Sequence, residues 1–96
     1  MKRFEVDKKN PAFWTCTQWL VGQVPELEEP FKELRMIVFT RTMIGCCALL
    51  VFWKQEQAEA FELCESGGLL RRAENALMDG LEQQCGIKLA SLEAAF

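Results

Sequence analysis

Five cysteines, Cys16, Cys46, Cys47, Cys64 and Cys85, are the side chains of this chain best suited to covalent chemistry. A thiol nucleophile needs a base, and the sequence holds neither histidine nor tyrosine, so only a glutamate or a lysine could take its proton. Serine is confined to Ser66 and Ser91, and aspartate to Asp7 and Asp79. Gly67-Gly68 lacks the spacing and the lysine of a phosphate-cradling loop. The inventory predicts a protein that is not an enzyme. Metal binding fails on the same count, because the cysteines form no CxxC pair and no histidine is present to complete a tetrahedral site. The adjacent Cys46 and Cys47 could form a redox element, but nothing near them in sequence clearly depresses a thiol pKa. The thiols are therefore expected to act as small buried hydrophobes, and no cofactor is expected.

Eleven basic residues against fourteen acidic ones give a net charge of −3 and a pI near 5.0, the wrong sign for a protein that neutralises phosphates. Nucleic acid is not an expected partner. Half of the 96 residues are apolar and 26% are charged, enough apolar surface for one folded domain over 1–96 and too little chain for two. The start MKRFEVDKKN is basic without the apolar run and small-residue cleavage site of a signal peptide, so residues 1–9 read as a mobile segment and the chain as cytoplasmic. Placement of charge says more than its sum. Residues 11–25 carry none, 36–53 carry only Arg41, and 54–66 hold four glutamates against one lysine.

The elements that must position these side chains read as helices. Asn10-Pro11 is a helix start, since asparagine can accept from an orphan N–H and proline lacks a donor that the first turn would leave unsatisfied. Phe13, Cys16, Trp19 and Leu20 then recur at helical spacing over 11–23. Leu27, Phe31, Leu34 and Val38 continue such a stripe, with a main helix from Pro30. Residues 36–44 are rich in strand formers, yet Met43, Ile44, Cys46 and Cys47 are not turn chemistry, so helix is favoured over a β-hairpin. Leu49, Trp53, Ala60, Phe61 and Cys64 share helical faces until Gly67-Gly68, and Leu70, Ala73, Leu77 and Leu81 form the next stripe, closed by Gly86. Leu89, Leu92 and Phe96 make a last short turn.

Trp19 and Trp53 stand thirty-four residues apart, and FWTCTQWLVGQVPELEEPF at 13–31 lies loosely over CALLVFWKQEQAEAFELCE at 47–65. The stretch FWKQEQAEAFELCE (52–65) resembles the inner turn of a tetratricopeptide helical hairpin. That resemblance implies a scaffold holding another protein's helix or tail in an apolar concave face, as small tetratricopeptide-like chaperones do.

The expected architecture is all-α: a small bundle of four to five helices, as two tetratricopeptide-like hairpins plus a closing helix, with an α+β fold carrying a strand pair in 34–53 as the alternative. The expected function is protein binding without catalysis, as a small chaperone, adaptor or specific inhibitor with an apolar helical groove. The partner would be another protein, such as one presenting an amphipathic helix, and its candidate contacts are Phe13, Trp14, Trp19, Arg41, Phe52 and Trp53. A self-associating structural subunit is a second reading. A membrane protein spanning 36–53 is a third, opposed by Arg41 within the run.

Overall fold

The computed structural model describes residues 3–43, 45–52 and 68–96. Within them the elements run in the order strand β1 at Arg3–Asp7, helix α1 at Pro11–Gln23, strands β2 at Leu34–Thr42 and β3 at Gly45–Phe52, then helices α2 at Leu69–Asp79 and α3 at Leu89–Ala95. The strands form one antiparallel sheet in the order β1-β2-β3. The fold is α+β, and the expected all-α bundle and its tetratricopeptide-like hairpins are corrected accordingly. The strand pair within 34–53 is the arrangement the chain adopts. Residues 13–18 are helical where the loosely corresponding 47–52 are extended, so the echo around Trp19 is not a repeated helical hairpin. The rest of the resembling stretch, 53–65, lies outside the described residues.

β2 wins as a strand because Ile37, Val38, Phe39 and Thr40 fit a pleated surface and find partners on both sides. Val6 pairs with Ile37 and Phe4 with Phe39 across β1, while Leu50 and Ala48 oppose the same two residues across β3. As the middle strand it is buried on both faces, Ile37 and Phe39 on one and Val38 and Thr40 on the other. That double burial removes the polar alternation that marks a half-exposed strand, leaving an apolar run readable as helix. Met43 and Ile44 separate the paired Thr42 and Gly45, and Gly45 at φ 129° takes a backbone conformation that side chains disfavour. Arg3–Asp7, expected within a mobile segment, is instead a paired edge strand.

Pro25 and Pro30 replace the expected second helix with two 3-10 turns, Pro25–Leu27 and Pro30–Glu33. Each proline removes an N–H that a continuous α-helix would use, and the chain folds back with Leu27 buried beneath it. α1 starts as its sequence indicates: the Asn10 Oδ1 accepts from the Ala12 N–H at 3.0 Å with Pro11 at the first position. Its Phe13, Cys16 and Leu20 join Val6, Ile37 and Phe39 of the sheet, Leu69, Ala73 and Leu77 of α2, and Leu92 of α3 in one apolar cluster. Each large side chain so buried contributes about 1.5–3 kcal/mol. No described helix is long and apolar enough to cross a membrane, and residues 36–42 and 45–52 lie in two strands.

Candidate functional site

A helix without charge has no strongly solvated face, so some apolar surface of α1 must meet either core or water. Phe13 takes the core at 1% exposure, and the next residue, turned about 100° round the axis, does not. Trp14 is 50% exposed. Its indole is nevertheless fixed: Nε1 donates to the Lys8 carbonyl oxygen at 3.2 Å, and the ring meets Phe13 edge-on with centroids 5.1 Å apart at 84°. The Trp14 carbonyl accepts from the Thr17 hydroxyl at 3.1 Å.

Beside this indole the two 3-10 turns fold back along α1 and leave an open groove of about 540 Å³. Phe13, Val21 and Phe31 supply its apolar surface, and Lys8, Glu28 and Lys32 its charges. The Lys32 ammonium donates to Glu29 at 2.9 Å, and that carboxylate holds it above its ordinary range. Phe31 is backed by Phe52, ring centroids 6.4 Å apart, so the groove wall rests on the end of β3.

Of the sequence candidates, the fold brings Phe13 and Trp14 together at the groove and places Phe52 behind its wall. Trp19 lies elsewhere, half-buried against Gly80 at the end of α2. Arg41 is exposed near the hairpin tip and pairs in register with Cys46. Trp53 lies outside the described residues. Val21, Lys8, Glu28 and Lys32 were not singled out by sequence reasoning, and Phe31 was read as one member of a helical stripe. The signal available for Phe31, Glu28 and Lys32 was Pro25 and Pro30, which break the helix and turn the chain back.

The thiols sort by neighbourhood. Cys16 of α1 and Cys85 of the turn after α2 are both buried and share a side-chain hydrogen bond. That bond, then burial, pushes Cys16 up, while the same bond draws Cys85 down against its own burial. Cys46 is raised by desolvation first and by Glu93 next, with Arg41 opposing, so it remains a thiol at neutral pH. Cys47 shares a hydrogen bond with the Thr40 hydroxyl at 3.2 Å. Among the described residues no three His, Cys, Asp or Glu side chains converge as metal ligands would.

No family model matches this chain, and neither a curated protein nor a solved structure does so.

Proposed function

We propose that this chain is a protein-binding module, a small chaperone, adaptor or specific inhibitor, whose contact surface is the groove between α1 and the two 3-10 turns. The observation that carries the reading is Trp14, a half-exposed indole held in one orientation by the Lys8 carbonyl and by Phe13. An anchored aromatic costs little entropy when a partner covers it, which is why such residues dominate interface energies. The groove follows a helix without charge, so its fitting occupant is the apolar face of a partner's amphipathic helix.

Capture from the native host supplies a partner, and the deciding measurement is the affinity of the purified pair. Trp14→Ala and Phe31→Ala should each lower that affinity at least about tenfold while the circular dichroism spectrum is unchanged. Equal binding by both variants, or hydrogen-exchange protection that avoids residues 8–32, would overturn the proposal.

A further inference from the structure

Two thiols meet inside the core. Cys16 of α1 is fully buried, Cys85 in the turn after α2 is 3% exposed, and both belong to the one apolar cluster. Their side chains share a hydrogen bond, although most of the chain lies between them in sequence. The backbone is fixed on both sides of that contact. One helical turn beyond Cys16, Trp19 packs across Gly80, and the Gly80 carbonyl accepts from the Gln84 N–H at 2.8 Å and from the Cys85 N–H at 3.2 Å. The packing that seats α1 on the end of α2 therefore also holds the two sulfur atoms together. An alanine or a valine would fill either position as a small apolar residue, whereas two thiols in contact add the capacity for one further bond.

A thiol so placed meets only small reagents. Cys85 lies beneath a turn whose Gln83, Gln84 and Gly86 are exposed. Opening that turn breaks the bonds of Gln84 and Cys85 to the Gly80 carbonyl and leaves the helices and the sheet intact, a local motion rather than unfolding. Hydrogen peroxide is small enough to enter by this route.

We propose that Cys16 and Cys85 are a peroxide-oxidised pair that closes to a disulfide in the folded chain and ties α1 to the turn after α2. The two sulfurs have different parts. Cys85 is the nucleophile, because the Cys16 S–H donates to it and so draws it down against its own burial, while Cys16 keeps its proton. The Cys85 thiolate attacks one oxygen of the peroxide. The O–O bond breaks, the sulfur becomes a sulfenic acid, and the departing hydroxide takes up the proton that Cys85 released on ionising. The Cys16 sulfur then attacks the sulfenic sulfur, the S–O bond breaks, and the Cys16 proton leaves with that hydroxide as water. Two thiols are oxidised and one peroxide is reduced to two waters. Burial favours the second step, since the sulfenic acid has a thiol beside it and is shielded from a second peroxide.

Exposure by itself would direct oxidation elsewhere. Cys46 and Cys47 are both more exposed, but as neighbours on β3 they point to opposite faces of the sheet and do not meet. Desolvation, first among its causes, also raises Cys46.

The test is peroxide treatment of the folded full chain, followed by digestion and mass mapping, beside a variant carrying Cys46→Ser, Cys47→Ser and Cys64→Ser. Each should lose two hydrogens in the pair and yield one linked peptide, Cys16 with Cys85. The urea midpoint of the oxidised chain should rise, because the bond closes residues 16–85 into a loop, and dithiothreitol should return it. In Cys16→Ser the reaction should stop at a Cys85 sulfenic acid that dimedone labels, whereas Cys16 should stay unlabelled in Cys85→Ser. The linkage mapped in the parent chain decides the matter even where a single variant fails to fold. A link that forms only after urea is added, or a pair left reduced while Cys46 and Cys47 are consumed, would overturn the proposal without touching the groove at Trp14.

Discussion

The Trp19 indole lies across Gly80 so closely that a methyl group at position 80 would stand 2.4 Å from Cη2 and 2.7 Å from Cζ2. Gly80 has φ −99°, a conformation open to any residue, so glycine is required there by space and not by backbone freedom. The contact locks the middle of α1 against the end of α2. Gly80→Ala should destabilise the chain by about 1–3 kcal/mol through overpacking. Urea unfolding measures this, and adding Trp19→Leu should return part of the loss. An unchanged midpoint in Gly80→Ala would show that the indole moves aside freely.

Glu74 is a helix residue acting as the outer neighbour of a strand. Its charge-assisted bond to the Leu50 N–H satisfies a donor that an edge strand would otherwise turn to water. Glu74→Ala is expected to cost about 1–3 kcal/mol and to speed amide exchange at Leu50. Amide exchange at Leu50 no faster than in the parent chain would mean that this bond does not protect the strand.

β1 is the outer cover of β2. Val6 is fully buried and packs in the core beside its register partner Ile37. Val6→Asp would place a carboxylate in the core without a partner, so it should abolish cooperative unfolding, whereas Glu5→Gln on the exposed face should shift the midpoint by less than about 0.5 kcal/mol. Thermal melts of the two variants decide between a structural strand and a mobile arm, which would tolerate both.

The buried thiol pair makes stability depend on alkaline pH with a definite sign. In the unfolded chain both thiols ionise near the ordinary value of 9.0. In the native chain Cys85 ionises below that value and Cys16 keeps its proton well above it, because their shared hydrogen bond favours one charge and opposes a second. Where Cys85 alone has ionised, the unfolded chain holds more protons and stability rises with pH. Above about pH 9 the unfolded chain has lost both protons while the native chain keeps that of Cys16, so stability must fall. Urea titrations from pH 7 to 10.5 should show this decline, and Cys16→Ala should flatten it. A decline of equal steepness in the variant would assign it to other groups.

Part of this architecture is written locally in the sequence. Asn10-Pro11 specifies the start of α1 by hydrogen-bond chemistry that needs no tertiary partner, and Ala73, Leu77 and Leu81 mark the buried face of α2 and the turn after it. The hairpin is not written that way. Its two-residue link holds Met43 and Ile44 where glycine or asparagine would announce a turn, and the burial of Val38 and Thr40 opposite Ile37 and Phe39 erases the alternation of a strand. The groove was half legible: Trp14 stood out on a helix without charge, while Phe31 reaches it only because two prolines fold the chain back. Cys16 and Cys85 meet across most of the chain's length, and neither carries a local signal for the other.

The strand order has a consequence for the chain as it is made. Among the described residues β1 pairs only with β2, and Asp7 leaves the ribosome roughly thirty residues ahead of Met36, its partner in the register. During that interval α1 can form by itself from its capped end, but Phe4 and Val6 have nothing to lie against. Once residue 40 is out, every register partner of β1 exists, and once residue 52 is out β3 can zip onto the other side of β2. The earliest residues to be synthesised thus wait for partners made roughly thirty residues later, and a nascent chain halted before Met36 would hold none of the residues that pair with β1.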